Sequence, residues 1–129
     1  MNKRIFCVLL CLLVFLPGLS GCRGSTRRAF FVSLIQNPPT LSSREAMAKL
    51  VADAKRGRVG TLFVQIYRAN QAWFPSKVGD RAPYDAVVKS LGEDPVAFLI
   101  KEAHAAGIAV HAWLNMLTLS TNDKAPLLK

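Results

Sequence analysis

Thr61-Leu62-Phe63-Val64-Gln65-Ile66-Tyr67 decides the fold. The run is β-branched and aromatic at odd and even positions alike, so both faces of the strand it predicts must be covered, as in a parallel sheet with helices packed on it. Two similar runs flank it. Ala29-Phe30-Phe31-Val32-Ser33-Leu34 precedes it and stops at Asn37-Pro38-Pro39, and Ile108-Ala109-Val110-His111-Ala112-Trp113-Leu114 follows it and ends at Asn115.

Helices are predicted between these strands. Ser42-Ser43-Arg44-Glu45 offers a capping box, with Ser42 accepting from the backbone and Glu45 reaching back. Met47, Leu50, Val51 and Ala54 then repeat at helical spacing until Lys55-Arg56-Gly57, where the basic residues suit the negative end of the helix and glycine suits a left-handed stop. Asp94-Pro95 opens a second helix, with an acceptor at the cap and proline at the first helical position. Val96, Leu99, Ile100 and Ala103 form its apolar stripe and Gly107 closes it. Between the second strand and this helix, Arg68 to Glu93 reads as a loop of 26 residues, far beyond the usual connection of about 2–6 residues in α/β units. The order is β-α-β-α-β.

The N-terminus reads as an export signal. Lys3 and Arg4 precede a 12-residue apolar run from Ile5 to Leu16, too short to cross a bilayer, and Pro17-Gly18 breaks it. Leu19-Ser20-Gly21-Cys22 has the form of a lipobox, which predicts cleavage ahead of Cys22 and acylation of its thiol. The expected division is a lipoprotein signal peptide at 1–21, a lipidated linker at 22–28 and a folded part at 29–129. Cleavage would remove 21 residues, leave 108, and reduce the formal charge from +9 to +7. Cys7 and Cys11 would leave with the signal and Cys22 would carry lipid, so disulfide, zinc and thiol chemistry are not expected. With two histidines seven residues apart as the remaining soft ligands, neither a metal nor another cofactor is expected. Arg23, Arg27 and Arg28 would lie near anionic headgroups, each contributing on the order of 1 kcal/mol, or serve only as a solvated tether. Export and the lack of a basic stripe interleaved with aromatics argue against a nucleic-acid partner.

Three parallel strands leave open edges, and a complete (β/α)8 barrel takes about 250 residues. The expected fold class is therefore α/β: the opening β-α-β-α-β units of a TIM-type barrel, incomplete, behind a lipoprotein signal peptide. In such a sheet ligands gather at the C-terminal strand ends, where Gln65, Arg68, His111 and Asn115 supply donors and acceptors. Trp73, Phe74, Tyr84 and Trp113 offer flat faces suited to stacking on a sugar ring. His111, Trp113 and Asn115 share a strand face by period two if the strand runs straight. Each candidate has a plainer alternative: His111 as a satisfied core histidine, Gln65 as a buried strand-end amide, Arg68 as the partner of an internal acid.

Four segments together carry a resemblance: Val64-Gln65-Ile66-Tyr67-Arg68; Ala72-Trp73-Phe74-Pro75-Ser76-Lys77; Asp94 through His104; and Gly107 through Asn115. In order and spacing the chain from Arg28 to Asn115 resembles the glycosyl hydrolase-like family 10 domain of bacterial lipoproteins. The resemblance implies a TIM-type barrel that acts on or binds polysaccharide, such as cell-wall glycan, with Gln65, Arg68, Trp73, His111, Trp113 and Asn115 as substrate-binding residues. The lipobox predicts a lipid-anchored place in the bacterial cell envelope, and Arg23 after the acylated cysteine, in place of an acidic residue, resembles the pattern sent to the outer membrane in a Gram-negative cell. Glycoside hydrolysis needs two facing carboxyl groups, and the sequence shows no convincing pair. Asp80 and Asp85 read as solvated loop charges, Glu93 and Asp94 as capping residues, and Glu102 and His104 as helix surface. By resemblance the chain is a glycoside hydrolase-like fragment without its catalytic carboxylates. The alternative is a noncatalytic envelope lipoprotein that binds glycan or a protein.

Overall fold

The computed structural model describes residues 28–117. The signal segment, Cys22 and the polar tail fall outside the described residues. Within them the parallel sheet forms as expected: β1 (Arg28–Val32) and β4 (Ala109–Leu114) each pair in parallel with the central strand β2 (Val59–Arg68). The helices α1 (Arg44–Arg56) and α3 (Pro95–Ala105) cover one face of it. This is a mixed α/β architecture compatible with the first units of a (β/α)8 barrel.

The helix-covered face is the core. Leu62 and Val64 of β2 meet Val32 of β1, Met47, Val51 and Ala54 of α1, and Leu99 and Ala103 of α3. Leu62, Met47 and Leu99 have no exposed surface, each contributing roughly 1.5–3 kcal/mol by burial. Residues of opposite parity form the other face, where the register sets Phe31 beside Phe63 and Phe63 beside His111. Among the described residues nothing covers this layer, and Phe31 remains 69% exposed.

Local details depart from the sequence reading in three places. The cap of α1 is Ser43, whose Oγ accepts from the Ala46 N–H at 3.1 Å, whereas the Ser42 hydroxyl donates to the Pro39 carbonyl. Adjacent serines are equivalent in composition, and the 3-10 turn at Thr40–Ser42 decides between them. Second, Gly57 stays right-handed (φ −75°) and Arg58 takes the left-handed conformation (φ 53°). Gly107, in contrast, ends α3 at φ 73°, with its N–H donating to the His104 carbonyl.

Third, the stretch from Arg68 to Glu93 is largely ordered structure. A two-residue strand β3 (Gln71–Ala72) turns back antiparallel on β2, pairing Ala72 with Tyr67 and Gln71 with Arg68. The connecting residues Ala69 and Asn70 have φ 52° and 64°, a turn with both central residues left-handed. After it α2 (Ala82–Leu91) runs with Pro83 in its first turn and Gly92 at its C-cap. Tyr84, Val87 and Leu91 already had helical spacing, but the density of charge and proline masked it. The Asp94 carboxylate caps α3, accepting from Val96 N and Ala97 N, and also accepts from the Tyr84 hydroxyl at 3.1 Å. Charge pairs trim the surface: Arg44 to Glu93 at 2.5 Å, Lys49 and Arg56 to Asp53, and Arg81 to Asp85 at 2.7 Å.

Three outcomes follow from this packing. Ser43→Ala is expected to lower unfolding free energy by about 1 kcal/mol in urea titrations, and Ser42→Ala by less, since only Ser43 satisfies a helix N–H. At Gly79 an added Cβ would sit 2.9 Å from Tyr67 Cε2, so Gly79→Ala should cost about 1–3 kcal/mol by the same measurement. Burial first, then the hydrogen bond to Asp94, pushes the Tyr84 hydroxyl above its ordinary range. Its contribution is therefore present below the unfolded value of about 10 and lost as pH rises past it, and Tyr84→Phe should flatten the alkaline limb of the stability profile.

Candidate functional site

The C-terminal ends of β1, β2 and β4 lie side by side, and the residues there form the candidate site. Successive layers climb the uncovered face of the sheet. In the lower one, the Phe31 and Phe63 rings stack at 4.9 Å and Phe63 stacks on His111 at 5.3 Å. Aromatic pairs at such spacing contribute roughly 0.5–1.5 kcal/mol beyond their burial. His111 is exposed at the edge of this stack.

The layer above holds Gln65 opposite Trp113. The Trp113 ring meets Phe31 edge-on at 5.8 Å and stays half-buried, with indole surface still open. Gln65 is only 1% exposed. Its Oε1 accepts from the Ser33 hydroxyl at 3.1 Å and from the Leu34 N–H at 3.0 Å, fastening the end of β1 to β2. Ser33 Oγ in turn accepts from Ile35 N. A buried amide oxygen with two donors is satisfied, so Gln65 shapes the floor of the site.

Arg68 closes β2, half-buried, its backbone paired with Gln71, and it has no ion-pair partner among the described residues. Asn115 follows the end of β4, and its N–H donates to the Tyr67 carbonyl at 3.0 Å. β4 ends at Leu114, one residue before Asn115, and the extra residue where the pairing shifts, between Gln65 and Tyr67, belongs to β2. Trp73 departs further from expectation. It is 8% exposed and belongs to the core with Val64 and Val87, so little of its ring is open to a ligand. Tyr84 is buried as well, held by Asp94.

The structure thus gathers Gln65, His111 and Trp113 on one face, places Arg68 and Asn115 at its rim, and puts Trp73 into the core. Residues that the sequence reading passed over also take part: Ser33, which holds Gln65, and Tyr67, Asn70 and Ser76, which shape the loop after β2. An Asn at a turn between two extended runs was the one available signal for the last group.

No strand residue among those described is acidic. Asp53, Asp85 and Glu93 are held in the ion pairs above, and Asp94 caps α3. Asp80 Oδ1 accepts from Ala82 N, while Glu45 and Glu102 lie on helices. The described part of this face therefore offers hydrogen-bonding groups and aromatic surface and contains no facing carboxylate pair. No group of three or more His, Cys, Asp or Glu among the described residues is arranged to hold a metal. A separate open hollow of about 310 Å³ lies between α1 and the loop after β1, lined by Gln36, Thr40, Lys49 and Asp53, away from this face.

Comparison with known proteins agrees with this geometry. The family model described as glycosyl hydrolase-like 10 matches residues 28–129. The chain is 33% identical over 97 residues to the glycosyl hydrolase DigH of Escherichia coli K12, covering 70% of this chain and 21% of that protein. To the glycosyl hydrolase YngK of Bacillus subtilis it is 32% identical over 81 residues, covering 61% of this chain and 16% of that protein. The chain thus spans about a fifth of the length of these curated relatives. The match over residues 28–129, on a parallel sheet of the kind that opens a (β/α) barrel, makes this chain a member of the glycosyl hydrolase-like 10 family.

Proposed function

We propose that this chain forms the opening strands of a polysaccharide-binding cleft in a glycoside hydrolase-like barrel, and that Cys22 anchors it by lipid in the bacterial envelope. The observation that carries the reading is the layered face at the strand ends. An open indole, Trp113, stands opposite the buried amide of Gln65, with His111 below and Arg68 and Asn115 at the rim. Flat apolar surface ringed by donors is what recognition of a sugar's hydroxyls and ring faces demands. Family membership supports the same class of ligand.

Hydrolysis of an O-glycosyl bond would need a general acid and a nucleophile or base, held about 5–5.5 Å apart for retention or about 6.5–9.5 Å apart for inversion. In the complete domain such carboxylates would stand on strands beyond β4. The role of β1, β2 and β4 is then to bind and orient the sugar, a role that supplies part of the barrier reduction through positioning. As a lone chain, this sequence is proposed to bind glycan without cleaving it. A wholly noncatalytic envelope lipoprotein is the second reading, favoured by the same lack of acidic strand residues.

Binding to insoluble cell-wall glycan, read by co-sedimentation, tests the proposal. Trp113→Ala should weaken binding by roughly tenfold or more while leaving the melting temperature within a few degrees. Trp73→Ala should instead cost about 3–5 kcal/mol of stability, because its ring is core. Wild-type affinity in Trp113→Ala would remove the cleft from this face. Reducing ends released by the purified chain would show that it does not depend on distant carboxylates.

A further inference from the structure

The segment that follows β2 departs from local rules more often than any other described part of the chain. Ala69 and Asn70 are both left-handed, although only one of them is a residue type that tolerates this readily. Asn70 is fully buried, and among the described residues its Nδ2 has no hydrogen-bond partner, at a cost of about 1–3 kcal/mol. Gly79 has no room for a side chain against Tyr67 and Asn70. Departures of this kind concentrate where a chain holds a functional group in place.

The contacts show what is held. The Tyr67 hydroxyl donates to Asn70 Oδ1 at 3.0 Å, a buried bond that ties the end of β2 to the turn that follows it. The Asp80 N–H donates to the Asn70 carbonyl and the Ala72 N–H to the Asp80 carbonyl, each at 2.7 Å. Ser76 Oγ accepts from Val78 N and Gly79 N, folding the intervening loop back against the turn. Arg68 therefore lies in the chain segment closed by the Tyr67–Asn70 bond, and its backbone is paired with Gln71.

We propose that Tyr67 and Asn70 are positioning residues for Arg68: their hydrogen bond clamps the β2–β3 turn so that the guanidinium is presented at the rim of the cleft as a ligand-binding cation. The proposal rests on the carbohydrate reading above for the identity of the ligand, but the clamp itself does not. It explains why an Asn with an unsatisfied amide stands at a buried turn. An Arg presented on a mobile turn would lose side-chain and backbone freedom on each binding event, and prior ordering of the turn removes the backbone part of that cost.

A double-mutant cycle separates positioning from general stability. The probes are a chitin oligosaccharide and solubilised bacterial cell-wall glycan, with each variant assayed well below its own melting temperature. Arg68→Ala and Asn70→Ala should each weaken binding roughly tenfold, and the double variant no further, since the clamp has nothing left to place. Additive losses of about a hundredfold would overturn the proposal, as would unchanged binding in Asn70→Ala. Tyr67→Phe is the milder variant if Asn70→Ala does not fold. In it, amide exchange at Ala72 and Asp80 should quicken roughly tenfold with β1–β2 amides unaffected. Should the unaltered chain bind neither probe, the carbohydrate reading falls, and exchange alone then judges the clamp: unchanged rates at Ala72 and Asp80 overturn it.

Discussion

The parallel hydrogen-bond ladder of β2 to β1 and β4 is the constraint on which the rest depends. Because side chains alternate along a strand, a shift of one residue in that ladder would send Leu62 and Val64 to the uncovered face and Phe63 and Gln65 into the helices. The helices enforce the observed register. Met47, Val51 and Ala54 of α1 and Leu99 and Ala103 of α3 fit small and branched apolar residues. An amide at Gln65 facing them would be buried without a donor, a loss comparable to that of a whole core methylene group or more.

That register has a chemical consequence on the opposite face. It lines up Phe31, Phe63 and His111 in one layer and Gln65 with Trp113 in the next, so residues distant in sequence become a continuous surface. Gln65 then has a different role from the rim residues. Its oxygen is occupied by Ser33 and Leu34, which locks the ends of two strands together and fixes the floor on which a ligand would rest. Arg68, His111 and Trp113 retain exposed surface, whereas Gln65 does not.

The acids among the described residues lie on helices and loops and not on the strands. Several carboxylates on helices and loops find a backbone N–H, a Lys or an Arg: Asp94 caps α3, Asp53 meets Lys49 and Arg56, and Glu93 meets Arg44. A carboxylate on a strand of this sheet would be half-buried among aromatics without such partners, which is costly unless catalysis requires it. The described strands carry none. What these strands offer at this end of the sheet is aromatic surface and hydrogen-bonding groups.

Much of the architecture was legible in the sequence, because it is set by local periodicity. The three apolar runs, the stripe at Met47, Leu50, Val51 and Ala54, and the Asp94-Pro95 start each declare an element through the spacing of neighbours a few residues apart. The same information placed Gln65, His111 and Trp113 at strand ends. Pairing alone decided the remainder. Ser43 over Ser42 depended on a turn preceding the helix, Arg58 over Gly57 on how the chain enters β2, and the burial of Trp73 on the hairpin after β2, which carries it into the core. The Tyr67–Asn70 bond needs a left-handed turn, which no spacing announces. Periodicity determines which residues lie on a face, because it is a property of the backbone helix or pleat. Which of those residues remain open to a ligand is decided only when the faces are packed, because exposure depends on residues far away in the chain.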